Sequence, residues 1–449
     1  MTDLIPKEIK QVYSKVHDAG FEVYFVGGCV RNMLMNIPVK DWDLTTNATP
    51  EQIVKLFPDS FYDNQFGTVG LPTKSNGVVE ITTFRTENGY SDRRHPEIVG
   101  WGKTIDEDLS RRDFTMNAIA MKIDGKQTLT DPFGGQTDIK NKLIRTVGNP
   151  KERFKEDALR LLRAVRFATI LDFDIEKETG KEIVNDSDLI KHISGERVRD
   201  ELIKILSSDD PYKGIMLLKS TGLLKEILPE LLEGEDLSQV RPGRHHTTDV
   251  FTHNLLALKF CPSTDPIVRF AALLHDVGKP AVAGEDAQGL VTFYNHEVAG
   301  AKIAYEITKR LHFSKKETDR IVNLIRWHMF GVNEDQTDSA IRRFIRKIGV
   351  ENVNDMLDIR IADRLGSGRP AESWRFNLFK QKVEEQLKPA PFSINDLKVD
   401  GNDIMKTLNL KPGPQVGKIL QILFEEVDED LSRNTKEYLL ERMKEINHG

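Results

Sequence analysis

Cysteine is nearly absent: Cys29 and Cys261 are the only two in 449 residues, and no CxxC spacing occurs. That excludes a disulfide framework and a thiolate zinc site, and it makes a reducing cytoplasm the expected compartment. No apolar run is long enough to span a bilayer, and the opening MTDLIPKEIKQV lacks the apolar core of a signal peptide. Positive charge is not in excess either. The net charge is −6, so contacts with nucleic acid would have to come from local patches rather than a basic coat. Repeats and low-complexity segments are missing as well. What is present, 39% hydrophobic and 30% charged residues, is the composition of a soluble globular chain. At roughly 100–200 residues per domain, its length implies three or four units.

The first part of the chain reads as α/β. Residues 21–28 (FEVYFVGG), 39–45 (VKDWDLT) and 78–85 (VVEITTFR) are dense in β-branched and aromatic residues that alternate with polar ones, which predicts strands. After DPFGG at 131–135 the apolar spacing becomes helical, over 151–170, 197–206 and 213–228. Breaks containing proline or glycine at 241–243, 366–370 and 388–391 are candidate boundaries or loops. The stretch KERFKEDALRLLRAVR, 151–166, is locally basic, and on charge alone a solvated helix face is its plainer reading.

Chemistry concentrates first in YFVGGCVRNMLMNIPVKDWDLTT, 24–46. Side chains two apart on a strand share a face, so Asp41 and Asp43 present two carboxylates together. Like charges that close call for a cation, and hard oxygen donors suit magnesium, which commonly binds one or two carboxylates plus substrate phosphates. A surface turn is the competing reading of a lone DxD. Gly27 and Gly28 end the preceding strand just before a helix-like segment, where backbone N–H groups and the helix dipole can hold phosphate oxygens. Arg31 adds a fork of donors for a triphosphate. Glu80 on the third strand is a candidate third acid, against an exposed structural glutamate. A phosphate cradle beside a metal pair implies a nucleotide, and the matching chemistry is in-line nucleotidyl transfer with two magnesium ions.

In KEDALRLLRAVRFA, Ala158, Leu161, Leu162 and Val165 make an apolar stripe. Asp157 and Arg160 fall three apart on another face, by default a structural ion pair. The pair also has a hydrogen-bonding consequence. A carboxylate accepts from an exocyclic amine while a guanidinium donates to the neighbouring ring nitrogen, a pattern that fits cytosine and adenine and not uracil or guanine.

GGCVRN, DWD, VEITTFRTENGYSDRRHPE, EDLSRRDFTMNAIA, DPFGG, EDALRLLRAVRFA and SGERVRDEL, in this order, resemble the motif set of class II tRNA nucleotidyltransferases, the bacterial CCA-adding enzymes and their poly(A) polymerase relatives. The resemblance implies an α+β chain, with a polymerase-β-like head of mixed sheet and helices followed by an all-α neck, body and tail. It implies magnesium in the head, tRNA as partner and CTP and ATP as substrates. It assigns templating to Asp157 and Arg160, nucleotide contacts to Gly28, Arg31, Arg112, Arg163 and Arg166, and ribose or loop positioning to Asp113 and Asn117. Asn32 departs from the family pattern, which has Asp after VR. A poly(A) polymerase and an enzyme adding only CC are the alternatives. Against the first, residues 421–449 are acidic where such enzymes often carry a basic extension; against the second, the loop TTFRTENGYSDRRHPE is intact. A dead transferase kept as a hydrolase, or a tRNA chaperone, fits poorly with intact Asp41, Asp43 and Asp157.

Farther along, TDVFTHNLLAL, LLHDVGKP, YNHEVAG, IRWHMF and IRIADRLG resemble the HD phosphohydrolase superfamily. That likeness implies a divalent metal held by His253, His275, Asp276 and Asp363, with His296 and His328 for a second ion. Imidazole and carboxylate donors suit manganese, nickel, iron or zinc. Lys279 faces a phosphate or is a surface lysine. The expected organisation is a catalytic head at 1–135, neck and body at 136–240, an inserted HD module at 241–365 and a tRNA-binding tail at 366–449. In the tail, Lys411 and Lys418 are candidate phosphate contacts, and helix capping is the rival reading of KPGPQVGK.

Overall fold

The computed structural model describes residues 4–63, 67–88, 98–239, 248–387 and 393–448. The chain divides into two compact units, the first comprising 1–232 with 307–313 and the second 233–306 with 314–449. Among the described residues no helix is long and apolar enough to cross a membrane. The candidate breaks at 241–243 and 388–391 lie outside the described residues.

In the first unit, seven strands form one mixed sheet: β1 (Val23–Val26), β2 (Trp42–Thr46), β3 (Phe61–Asp63), β4 (Thr68–Pro72), β5 (Val78–Thr83), β6 (Ala120–Asp124) and β7 (Lys126–Thr130). Their order is β3-β4-β5-β2-β1-β6-β7. The three strands expected from alternation are all present; β1 and β5 are shorter than expected, and β2 begins three residues later and ends one residue later than expected. Central β1 is buried on both faces: Val23 and Phe25 join one core cluster, and Tyr24 and Val26 join another. Helix α1 (Lys7–Asp18) covers the first face with Ile9, Val12, Tyr13 and Val16, and the Tyr13 ring stacks on Phe25 at 5.1 Å. Trp42 and Leu44 of β2 point into this same cluster, so period two turns Asp43 to the opposite face.

The helical part of this unit contains a break that periodicity does not reveal. Residues 150–170 form two helices, α3 (Pro150–Glu156) and α4 (Leu159–Ile170), joined by an extended Asp157 at φ −141° and ψ 103°. Likewise 213–228 is divided between Pro211–Ser220 and Leu223–Ile227 by Gly222, at φ +79°. Helix α5 (Gly195–Leu206) packs against α4, with Leu202 and Ile205 buried.

The second unit is helical apart from one short hairpin among its described residues. Helices α6 (Val250–Phe260), α7 (Pro266–Leu274), α8 (His296–Arg310), α9 (Lys315–Trp327) and α10 (Val353–Gly366) carry the second cluster of candidate residues. Buried Gly366 lets α6 and α10 approach closely: a Cβ there would lie 3.0 Å from the Ala257 nitrogen and 3.3 Å from the His253 carbonyl oxygen. The last three helices, Gly401–Leu408, Pro414–Glu429 and Lys436–His448, close around Leu423, Val427, Leu439 and Met443. Buried Asp428 fastens this bundle to the helix Asp338–Ile348. It accepts from Arg342 Nε at 2.8 Å and from Arg346 at 2.6 and 3.1 Å, and the Asp428 carbonyl accepts from Arg342 as well. Asp428→Ala leaves the buried Arg342 guanidinium short of its counter-charge and is expected to cost about 3–5 kcal/mol. The check is the loss of unfolding free energy in urea.

Candidate functional site

The parallel register of β2 and β5 pairs Asp43 directly with Glu80. Asp41 sits in the bend just before β2, beyond buried Trp42. Asp43 and Glu80 therefore lie side by side on the face of the sheet opposite α1, with Asp41 near enough to act on the Asp43 carboxyl. Burial pushes the Asp43 carboxyl up to about 6; Arg112 opposes that rise, while Glu80 and Asp41 add to it. A cation between these carboxylates would relieve their repulsion, so the donor set fits a hard divalent ion. The head acids do not converge as closely as those of the second unit, which holds both groups of three ligand atoms found within 4.8 Å of one another among the described residues.

Gly27, at φ +71°, makes the turn between β1 and α2 (Gly28–Leu34). Its missing Cβ leaves room for Arg112, since a Cβ would meet one guanidinium nitrogen at 2.8 Å and Asp43 Oδ2 at 3.6 Å. Asp108, fully buried, anchors Arg111 at 2.7 Å and Arg112 at 3.2 Å. Arg112 Nε is buried with no hydrogen-bond partner among the described residues, a spare donor beside the acids. With only seven residues, α2 contributes little dipole. The turn's N–H groups and the arginines are the stronger anion-binding elements.

Arg31 is buried and donates to Asn117 Oδ1 at 2.7 Å and to Asn32 Oδ1 at 2.8 and 3.1 Å. Asn32 thus orients the guanidinium without neutralising it. Asn117 donates to Asp113, which accepts twice from Arg163 at 2.5 and 2.8 Å. Burial opposes ionisation of Asp113, yet Arg163, Asn117 and the Phe114 N–H hold it well below the usual carboxylate range. Arg31, Arg163 and Arg166 all face the Phe167 ring, at 5.2, 5.5 and 4.1 Å from its centroid. Arg166 Nε lies 3.1 Å from Glu201, although not in hydrogen-bonding alignment. The FTMN and VRFA motifs accordingly fold into one cationic platform.

The expected Asp157 and Arg160 pair on one helix face is not what the structure shows, because the chain is extended at Asp157. Asp157 accepts from Arg197 at 3.0 and 3.3 Å. Arg160 donates to Glu156 at 2.5 Å and to the carbonyls of Arg153 and Arg111 at 2.9 and 3.2 Å. Each member of the pair has another partner. Arg197 of SGERVRDEL was legible as part of a motif but not as the residue that holds Asp157.

The second unit brings all six of its expected ligands together. Asp276 Oδ2 is 3.3 Å from Nε2 of both His253 and His275, and its Oδ1 is 3.1 Å from His296 Nε2 and 3.6 Å from His328 Nε2. Asp363 Oδ1 lies 3.3 Å from His253 Nε2. His275, His296 and His328 each direct Nδ1 at the carbonyl three residues back, at 2.8, 2.9 and 2.7 Å. That contact places the proton on Nδ1 and leaves a lone pair on Nε2. The Nε2 atoms of His296 and His328 face each other at 3.3 Å, and those of His253 and His275 at 3.1 Å. Lone pairs so disposed fit divalent cations. One position is framed by His253, His275 and Asp363, a second by Asp276, His296 and His328, and the two oxygens of Asp276 face both. Burial disfavours charge on His253, but hydrogen bonds to Asp276 and Asp363 outweigh it and push its pKa up to about 9.

Lys279 is not a surface lysine. It is buried, 2.5 Å from Asp276 Oδ2 and 2.6 Å from Gln239 Oε1. Gly278 of HDVGK serves close packing, since a Cβ would fall 2.2 Å from the His296 carbonyl oxygen. The cavity beside these groups, about 470 Å³, is also lined by Arg360, Arg364 and Arg369, none of which the sequence singled out. Burial and repulsion from Arg360 and Arg369 lower the pKa of Arg364. In the tail, Lys411 and Lys418 are exposed. Of the loop TTFRTENGYSDRRHPE, residues 89–97 lie outside the described residues.

Three family models match: the poly A polymerase head domain over residues 23–145, an RNA- and SrmB-binding site of polymerase A over 172–234, and tRNA nucleotidyltransferase domain 2 over 290–443. The CCA-adding enzyme of Ligilactobacillus salivarius is 32% identical over 98% of this chain and 98% of its own length. The A-adding tRNA nucleotidyltransferase of Deinococcus radiodurans is 36% identical over 89% of this chain and 90% of its own. The crystal structure of the Bacillus stearothermophilus CCA-adding enzyme in complex with CTP superimposes with a TM-score of 0.74 at 27% identity, covering 98% of this chain and 97% of that one. With relatives matched from end to end and the head acids, arginines and turn in place, the chain belongs to the tRNA nucleotidyltransferase family.

Proposed function

We propose that the first unit adds C, C and A in turn to the 3′ end of tRNA, using CTP and ATP. The observation that carries this reading is the Asp43–Glu80 register, set beside a glycine turn that admits Arg112. Asp41 and Asp43, with Glu80 alongside, would hold magnesium, which would supply Lewis acidity toward the attacking 3′ hydroxyl and the leaving pyrophosphate. The Gly27–Gly28 turn, Arg31 and Arg112 hold the triphosphate, and the Phe167 platform presents Arg163 and Arg166 to the same nucleotide. Asp157 accepts the exocyclic amine of C or A while Arg160 donates to the ring nitrogen. To do so, Asp157 must exchange Arg197, and Arg160 must exchange Glu156, for the base. Uracil or guanine would leave buried groups unsatisfied.

The test uses tRNA transcripts lacking one, two or three terminal nucleotides, each with one NTP at a time. Full CCA addition gives C on the two shorter ends and A on the longest. Addition of A alone is the second reading, favoured by the likeness to the Deinococcus enzyme; C alone, or a run of A, marks the CC-adding or poly(A) alternative. Asp157→Ala is expected to erode discrimination against UTP and GTP by about 10²-fold while tRNA affinity is kept. Unchanged selectivity would make the residue structural.

Residues 241–365 read as an inserted HD phosphohydrolase module, in which His253, His275 and Asp363 would hold one transition-metal ion and Asp276, His296 and His328 a second. Such ions would supply a lowered pKa for bound water and polarisation of a phosphoryl group. Lys279 holds Asp276 in place. The proposed substrate is a 2′,3′-cyclic phosphate or 3′-phosphate on a damaged tRNA end, cleared before the head can extend it. In this reading the head spans 1–135, neck and body 136–240, the HD module 241–365, and the tail from 366 holds tRNA through groups such as Lys411 and Lys418.

A further inference from the structure

The cavity of the second unit contains a cationic wall that metal binding does not use. On α10, Arg360 lies three residues before Asp363 and four before Arg364, so its side chain neighbours both. Arg369 follows in the loop beyond. Arg364 Nε donates to the Pro370 carbonyl at 3.0 Å. Among the described residues no carboxylate lies within 4.0 Å of the guanidinium nitrogens of Arg364 or Arg369. Arg360 has one such neighbour, Asp363 at 3.5 Å, and that oxygen belongs to a metal ligand. The Nε atoms of Arg360 and Arg369 are buried with no hydrogen-bond partner among the described residues. Of the other two carboxylates in the lining, Glu297 is 3.6 Å from Arg326 and Asp276 is 2.5 Å from Lys279. Three guanidinium groups, each with five fixed donors, thus line one cavity with too few acceptors. Such an arrangement is stabilised by an anion of planar or tetrahedral oxygens. On the same cavity Tyr294 is 73% exposed, a free aromatic face of the kind on which a base stacks.

We infer that this pocket selects a ribonucleotide unit with a phosphate on each side of its sugar. The phosphate to be hydrolysed, on the 3′ oxygen, lies at the histidine and aspartate ligands. The 5′ phosphate lies on Arg360, Arg364 and Arg369, and the base lies against Tyr294. Water adds to the 3′ phosphorus, the bond from phosphorus to O3′ breaks, O3′ takes up a proton, and inorganic phosphate and a free 3′ hydroxyl result. The inference rests on the hydrolase reading of this unit. The same chemistry is offered by a free nucleoside 3′,5′-bisphosphate and by the 3′-phosphorylated end of an RNA strand, where the 5′ phosphate is a diester.

Binding is measured first, by calorimetry on the metal-free full chain with adenosine 3′,5′-bisphosphate and with 3′-AMP. The bisphosphate is expected to bind at least about tenfold more tightly, and equal affinities would overturn the inference. Arg364→Gln combined with Arg369→Gln should abolish that margin, and Tyr294→Ala should weaken both ligands roughly tenfold. If the glutamine variant melts early, Arg364→Lys with Arg369→Lys replaces it, keeping charge but losing the fork. The salt dependence of wild-type binding gives a measurement that needs no variant. Turnover is then compared in the manganese-loaded enzyme on p-nitrophenyl phosphate, 3′-AMP, the bisphosphate and a short RNA ending in a 3′ phosphate. A preference in kcat/KM for the last two over 3′-AMP supports the subsite, and their ranking identifies the source. Turnover of p-nitrophenyl phosphate without that preference defeats the subsite alone. No turnover of any ester with manganese, nickel, iron or zinc defeats the hydrolase reading, and the metal-free binding margin still decides the subsite.

Discussion

Asp43→Ala is expected to lower nucleotide addition by about 10³-fold or more, equivalent to at least about 4 kcal/mol of transition-state stabilisation, while binding of tRNA stays within a factor of about three. Asp43 is the acid best placed for a cation: it is paired in register with Glu80, it lies two residues from Asp41, and burial and those neighbours push its pKa up to about 6. Removing it deletes a candidate metal ligand while Arg112 stays anchored on Asp108. Loss should therefore appear in kcat rather than in KM for tRNA. Asp43→Asn separates the effects, because it keeps the shape and removes the charge; it should be nearly as inactive. Incorporation within tenfold of wild type by either variant in magnesium would refute the assignment of the head acids.

His275→Ala and Asp276→Ala are expected to weaken transition-metal binding by the second unit, in part and in full respectively, and to abolish hydrolysis of cyclic-phosphate ends, leaving CMP addition to an undamaged tRNA intact. Asp276 carries the larger effect because its two oxygens face the two halves of the cluster, at 3.3 Å from His253 and His275 and 3.1 Å from His296. Metal content per chain, read by mass spectrometry after dialysis, should fall toward zero for Asp276→Ala and by about half for His275→Ala. Removing Asp276 also strands the buried Lys279 ammonium, at a cost of about 3–5 kcal/mol. Asp276→Asn, which keeps a hydrogen-bond acceptor for Lys279, is the companion variant, with melting as the check of fold. Retained hydrolysis in variants that bind no metal would refute the proposed centre.

How much of this was legible in the chain depended on how local each feature was. β1, β2 and β5 could be read because alternation is a local signal, and the opposed faces of Trp42 and Asp43 follow from it; Asp41, expected on the same strand, lies in the bend before it. The hairpin of β6 and β7 passed unnoticed because AMKID and KQTLT carry charge in their solvent-facing halves. The break at Asp157 was invisible for a different reason. KEDALRLLRAVR has neither glycine nor proline, and Arg197, which is salt-bridged to Asp157, lies forty positions away. The six candidate ligands of the second unit came from resemblance rather than spacing, since they are spread over 253–363. Arg360, Arg364 and Arg369 escaped altogether: on a helix written as IRIADRLG, arginines four apart look like an ordinary solvated face, and only the fold shows that they line a cavity.

The parallel pairing of β2 with β5 bears on which changes in length the gene can tolerate. A residue gained or lost between Leu34 and Asp41 would be absorbed in a loop, but one gained inside β2 would invert its faces. Trp42 and Leu44 would then turn outward, the carboxylates would enter the packed side, and Asp43 would lose its place opposite Glu80. In a library of single-codon insertions and deletions, surviving clones should accordingly cluster in the stretch before Asp41 and be missing from 41–46, even though point substitutions at Thr45 and Thr46 are recovered.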